Sequence, residues 1–415
     1  MAARPAPRDG VGGAVAGEDR ARGFLSACLR AAPARGAPER PQRQPQAPLD
    51  AAGLRALVRH IRSRFAARCS AGVRGRSPVK PRLVDYLCCP GCQGSLRVVA
   101  DRQDGDEIVQ GTLRCERCDQ TYPIRAGVPR LFPSQLSASK QKTARAFGWQ
   151  WRHFRQMHDQ YERQFLDWIW PIEPAFFKDK LVLDAGCGIG RHAFFAAAYG
   201  AKEVIGIDLS DAVDTAFENV GHLPNAHIVQ ADIYDPPFRR ATAGGDFDFI
   251  YSIGVLHHLP DPESGLRSLV RCLRPGGTFF GWVYGYENNR LVQRVIDPFR
   301  RHVTSRLPPP AMRAIAFPLA VVFHAVVKGL YRPLRGTWLI RRLPAHAYLQ
   351  SLGTFNFRQN YNIVFDQLVA PTAVYLKREE FEAWFTKAGL EDVELSWRNQ
   401  NSWRGRGRLP RALTR

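Results

Sequence analysis

Acids at strand ends, glycines at alternate positions and cysteines in pairs are the residues whose spacing here points to chemistry. An apolar run from Leu181 ends in Asp184. Gly186, Gly188 and Gly190 follow and lead into a helix-compatible stretch from Arg191 to Tyr199. Such a turn needs glycine, because the backbone must bend sharply and admit a ligand without a Cβ in the way. The helix start behind it offers unpaired N–H groups and a partial positive charge. A second apolar run from Val204 ends in Asp208, with Leu209 beside it, placed to hold the two hydroxyls of a ribose. Asp232 and Ile233 follow a third run, where an adenine would lie. Alone, Asp184 or Asp208 reads more simply as a strand-end turn acid; their order predicts a nucleoside site at the mouth of an α/β sheet.

Four of the nine cysteines are paired, as Cys89-Pro-Gly-Cys92 and Cys115-Glu-Arg-Cys118. Between them lies a β-hairpin pattern, Gly94 to Ala100 and Ile108 to Arg114. Two such knuckles place four thiolates around one Zn²⁺ with no open position, so the expected role is structural. Cys88 competes with Cys89, but Cys-Pro-x-Cys spacing favours Cys89. The alternative is a redox dithiol or a disulfide pair.

The elements that must position the acids alternate regularly. Strands are expected at Leu181 to Asp184, Val204 to Asp208, His227 to Gln230, Phe247 to Ser252 and Thr278 to Tyr284, with helical stretches between them. That alternation predicts a parallel, doubly wound, Rossmann-like α/β sheet with its ligand beyond the C-terminal strand edges. Ser252 and Gly254, at the end of the fourth strand, join Asp184, Asp208 and Asp232 around one crevice. The spacing G-x-G-x-G departs from the dinucleotide fingerprint G-x-G-x-x-G, which argues against NAD and for S-adenosylmethionine (SAM). His257 and His258 follow the fourth strand, and their ordinary pKa of about 6.5 makes either a candidate base. Capping or pocket lining is the simpler role for both.

The ordered segments from Leu181 to Gly285 resemble the class I SAM-dependent methyltransferases. The segment His257-His258-Leu-Pro-Asp-Pro262 is similar to the branch that methylates quinones and other small molecules. The resemblance implies that Gly186 and Gly188 contact the methionyl part and that Asp184 orients its ammonium. It further implies that Asp208 holds the ribose, Asp232 and Ile233 the adenine, and that Ile253 to Leu256 lie beneath the sulfonium. Residues Leu83 to Pro133 resemble the small zinc-binding activator subunit of tRNA and release-factor methyltransferases. Asp235-Pro-Pro-Phe238 looks like the motif with which amino-methylating enzymes grip a planar nitrogen, but it precedes the fourth strand instead of following it. Its position favours O- or C-methylation.

The net charge of +21 is localised. Residues 1–80 carry 16 Lys/Arg against 5 Asp/Glu, and residues 290–345 carry 11 against 1; these two segments account for all of it. A basic nucleic-acid-binding face on the sheet domain is therefore not expected, although nucleic acid is not excluded as a partner. The expected organisation is a disordered basic tail (1–80, with one short amphipathic helix from Leu54 to Phe65), a zinc ribbon (81–133), and a linker with an N-terminal helical lid (134–180). The SAM-binding core (181–289), a helical insertion (290–376), a last helix and strand (377–398) and a solvated basic end (399–415) complete it. The insertion centres on an apolar stretch, Met312 to Leu330, flanked by arginines. An anionic membrane surface attracts that pattern; a lid that buries the stretch against the sheet explains it equally. The reading is a cytoplasmic enzyme, peripheral to the membrane if the insertion binds lipid. It would transfer methyl groups to an oxygen or carbon of a small or glycan/lipid-linked acceptor. Trp149, Trp151, Tyr284, Tyr286 and Tyr361 are candidate pocket aromatics. RNA or protein methylation is the alternative, and a non-catalytic SAM-binding adaptor the third.

Overall fold

Residues 79–411 are described in a computed structural model, apart from 105–106, 133–135, 159, 240–244, 291 and 344. The basic tail and its helix from Leu54 to Phe65 lie outside the described residues. A single helical turn, α1 (Leu83–Tyr86), leads into the hairpin β1 (Leu96–Asp104) and β2 (Glu107–Cys115), continued by β3 (Thr121–Arg125) and β4 (Val128–Leu131). Helices α2 (Ala138–His153) and α3 (Gln160–Ile169) follow.

Five strands then run parallel: β5 (Leu181–Ala185), β6 (Glu203–Asp208), β7 (Ala226–Ala231), β8 (Phe247–Ile253) and β9 (Leu273–Tyr284), in the order β7-β6-β5-β8-β9. Their run-on apolar sequences are explained by burial on both faces. Leu183, Ala185, Ile205, Ile207 and Val229 point into one core layer, while Val182, Val204, Ile228, Phe249 and Tyr251 point into the other. Helices α4 (Arg191–Ala198), α5 (Ala212–Val220) and α6 (Pro262–Val270) connect them. The Asp261-Pro262 pair starts α6: the Asp261 carboxylate accepts the Ser264 N–H at 3.1 Å, and proline occupies the first turn.

The ribbon is joined to this sheet through backbone pairing. β4 pairs in parallel with β7, placing Arg130 opposite Gln230 and Leu131 opposite Ala231. One apolar core accordingly runs from Leu113 and Cys115 through Ile207 to Phe381. The Asp235-Pro-Pro-Phe238 segment serves the same junction: the Pro237 carbonyl accepts the Cys88 N–H at 2.9 Å, and the Phe238 ring packs on Phe247.

Beyond β9 come α7 (Asp297–His302), α8 (Pro309–Val326), α9 (His346–Leu352) and α10 (Phe357–Val369), then α11 (Arg378–Lys387), β10 (Glu391–Arg398) and β11 (Ser402–Arg408). The arginine-rich end expected to be solvated is instead β11, inserted antiparallel between β9 and β10. Its alternation of arginine and glycine has the two-residue period of a strand. Gly405 and Gly407 face Phe381, Phe385 and Leu390, while Arg406 and Arg408 pair with Glu394 and Asp392.

Candidate active site

A cavity of about 790 Å³ opens across the C-terminal ends of the parallel strands. The turn after β5 forms one wall. Gly186 has φ +87°, and a Cβ there would lie 2.3 Å from a methyl of Val255, so the turn admits no side chain. Gly186, Gly188, Asp208, Leu209, Asp232, Ile233, Gly254 and His258 all line the cavity. Asp208 is locked in orientation: one oxygen accepts the Gly188 N–H at 3.0 Å, the other the Ser210 N–H and hydroxyl at 2.8 and 2.7 Å. Burial pushes its carboxyl up, and these donors pull it back.

Four residues expected at the crevice do not line it. Gly190 is the left-handed residue before α4 and packs on Val220 and Ala216. Ser252 is fully buried and donates to the Ala185 carbonyl at 2.9 Å, tying β8 to β5. Asp184, at the end of β5 before the glycine turn, is fully buried; burial pushes its carboxyl up to about 7 against the opposing pull of the Tyr251 side chain and the Ala193 backbone. His257 is also sealed in. Its ring lies 3.9 Å from that of Tyr284, both nitrogens lack partners, and burial holds it well below the usual histidine range. A base must meet the acceptor's proton, and His257 does not reach the cavity.

His258 differs from its neighbour because the short helical turn Leu256–His258 sends the two rings to different surroundings. Its Nδ1 lies 2.7 Å from the Thr372 carbonyl, which only accepts, so Nδ1 carries the proton and Nε2 is the ring's lone-pair nitrogen. Burial holds His258 below its usual range, against the opposing pull of Asp366. Asp366, on α10, was not legible as a site residue. Its carboxylate accepts from Gln150 at 3.0 Å and from the Tyr284 hydroxyl at 3.3 Å, while Gln367 donates to that hydroxyl at 3.0 Å. His258, Tyr284 and Asp366 thus form a polar spot in a cavity walled mainly by apolar side chains, among them Trp151, Trp168, Trp282, Phe299 and Leu352.

Of the five candidate aromatics, Trp151 and Tyr284 line the cavity. Trp149 stacks on His153 and Phe365, Tyr361 belongs to the core between α8 and α10, and Tyr286 is exposed. Helix α2 also contributes Lys140, which sequence reasoning passed over. Its ammonium holds Asp232 at 2.6 Å and sits 4.1 Å over the Tyr234 ring. An adenine amino group at Asp232 therefore has to share the carboxylate with Lys140.

The thiols of Cys89, Cys92, Cys115 and Cys118 converge within 4.8 Å of one another, with Cys89–Cys118 at 3.7 Å and Cys92–Cys115 at 3.4 Å. Four sulfurs around a tetrahedral Zn²⁺ stand about 3.8 Å apart, so the donor set fits. Gly94 leaves the space they need, since a Cβ there would lie 3.0 and 3.2 Å from two of the sulfurs. Cys88 turns away toward Gln93.

Parallel strands in this order, a glycine turn after the central one and an acid closing the next define a class I SAM-dependent methyltransferase domain. Residues 183–281 match the methyltransferase domain family, and residues 80–127 the Trm112p-like protein family. Among curated relatives, the tRNA U34 carboxymethyltransferase of Cellvibrio japonicus is 37% identical over 118 residues, 27% of this chain and 35% of that protein. Its namesake from Vibrio cholerae is 33% identical over 149 residues, 34% of this chain and 43% of that protein. The chain spans about a third of the length of the curated relatives it matches. Among solved structures, a complex of the Haloferax volcanii Trm112 methyltransferase activator with a methyltransferase aligns at 16% identity and a TM-score of 0.38, covering 66% of this chain and 100% of that one. Human N-acetylserotonin methyltransferase with SAM aligns at 12% identity and 0.39, covering 66% and 59%.

Proposed function

We propose that this chain is a SAM-dependent methyltransferase acting on an oxygen, or an acidic carbon, of an acceptor with a large apolar part. The observation that carries the proposal is the cavity, which joins the glycine turn to His258 and Tyr284 along a mainly apolar wall. Bound SAM supplies an electrophilic methyl group on a sulfonium. Gly186, Gly188 and Asp208 would hold its methionyl and ribose portions, and Asp184, buried behind the turn, would act on its ammonium by its charge and not by contact. The apolar wall orients the acceptor and excludes water, and alignment of this kind supplies much of the acceleration. His258 Nε2 takes the acceptor's proton; Asp366, held in place by the Tyr284 hydroxyl and Gln150, is a positioning residue whose charge favours the protonated imidazole. Cys89, Cys92, Cys115 and Cys118 would hold a zinc ion that staples the ribbon.

A second reading, an RNA acceptor, is favoured by the relatives, whose names specify a tRNA uridine, and by the Trm112p-like segment. Small-molecule, glycan-linked and lipid-linked acceptors have no such support among them. Yet the family match ends at residue 281, so Asp366 and the apolar walls from α8, α9 and α10 lie outside it. Incubation with methyl-labelled SAM and separate lipid, RNA, protein and metabolite fractions of the source cell decides between them. Label in the lipid or apolar metabolite fraction is expected; label confined to RNA establishes the second reading.

A further inference from the structure

The water-facing side of α8 is apolar, and nothing in the chain's described residues covers it. The helix buries one stripe, Met312, Ala316 and Ala320. The rest of its surface presents Ile315, Phe317, Leu319, Val321, Val322 and Val326, between 37% and 63% exposed. A surface helix of a water-soluble domain carries polar residues there. Twelve of the seventeen exposed large hydrophobic side chains among the described residues fall between Val295 and Leu339, so they form a concentration, not a scatter.

The charge along this stretch is basic, although Arg300 is buried against Asp297 and Arg301 pairs with the same carboxylate. From residue 298 to residue 365 the chain has ten Lys/Arg and no Asp or Glu. Arg306 and Arg313 are exposed at one end of α8, and at the other Lys328, Arg332 and Arg335 line a small pocket of about 180 Å³. The face also meets the active site: Val295, Phe299 and Leu319 are exposed and line the large cavity.

We propose that α8 and its neighbours seat the protein on an anionic lipid bilayer, in the plane of the headgroups, with the cavity opening toward the lipid. This rests on the apolar-acceptor reading above, which it extends to the route by which the acceptor arrives. Cations flanking an apolar strip match lipid phosphates above acyl chains. An RNA backbone would pair with the arginines but leave Phe317, Val321 and Val322 in water. The segment Pro309–Tyr331 is long and apolar enough to cross a membrane by length and composition. It is tied to the fold, however: the Tyr361 hydroxyl donates to the Arg313 carbonyl at 2.7 Å, Asn360 meets His324 at 2.9 Å, and Met312 packs against α10. A spanning helix would break these contacts, whereas one lying in the interface keeps them.

Flotation of the full chain with vesicles tests this without reference to turnover. The protein should rise with phosphatidylglycerol–phosphatidylcholine vesicles and far less with phosphatidylcholine alone. Val321→Asp with Val322→Asp, both at exposed positions outside the packed core, should weaken association at least about tenfold with thermal stability and SAM binding unchanged. Arg332→Gln with Arg335→Gln should remove the preference for the anionic lipid. No flotation with either composition, or flotation indifferent to Val321→Asp with Val322→Asp, overturns the proposal while leaving methyl transfer standing. Tight tRNA binding lost on the same substitutions overturns it in favour of an RNA-docking face.

Discussion

Adjacent residues in this protein have unlike fates. His257 and His258 share a turn, yet one ring is sealed against Tyr284 and the other lines the cavity with its tautomer set by the Thr372 carbonyl. Replacing His258 by alanine should lower kcat by roughly 10²–10⁴-fold with SAM affinity intact, as removal of a general base does. His257→Phe keeps an aromatic ring and discards two orphaned nitrogens. Its kcat should stay within about twofold and its stability hold or rise by about 1 kcal/mol, measured by single-turnover assay and denaturant melt. Asp184 makes the second residue-scale case. Its carboxyl, at about 7 in the folded protein against an ordinary value of 3.8, disfavours the folded state progressively as pH rises between those values. Asp184→Asn should therefore raise the melting temperature of the ligand-free protein at pH 8 but not at pH 3.5. On the proposed attraction between Asp184 and the SAM ammonium, which favours the ionised form, wild-type affinity for SAM should fall as pH drops below about 7, and Asp184→Asn should bind weakly at every pH by calorimetry.

Among the elements, β11 shows how a strand hides in a basic tail. Arginine and glycine are poor guides to a strand by propensity, but the two-residue alternation puts Gly405 against Phe385 and Phe381, where a Cβ would meet ring atoms at 2.7 and 2.9 Å. Gly405→Ala should cost about 1–3 kcal/mol through forced repacking of those rings, read in a denaturant melt with the m-value unchanged. A merely solvated tail would show no loss. The parallel strands were far more legible, because strands buried on both faces need unbroken apolar runs, and the observed bounds differ from those expected by only a residue or two at β5 to β8. β9 begins earlier than the expected Thr278, at Leu273, because the Pro275-Gly-Gly segment is drawn into the strand.

At the scale of the whole molecule, the shared core from Cys115 to Phe381 and the β4–β7 pairing make the ribbon part of the sheet domain's stability. Stripping the metal with a strong chelator should therefore lower the melting temperature of the entire described fold by about 5 °C or more, with release of one equivalent of zinc. A separable ribbon would melt alone and leave the main transition in place. The residue pattern determined the doubly wound sheet, the glycine turn, the acids beside it and the paired cysteines. These depend on backbone geometry and on side chains a few positions apart, which local spacing records. Packing alone decided that Tyr284 meets Asp366 across 82 residues, that Lys140 takes Asp232 across 92, and that one histidine of two reaches the cavity. Contacts between distant segments are set by how helices stack on a finished sheet, and no period along the chain encodes that.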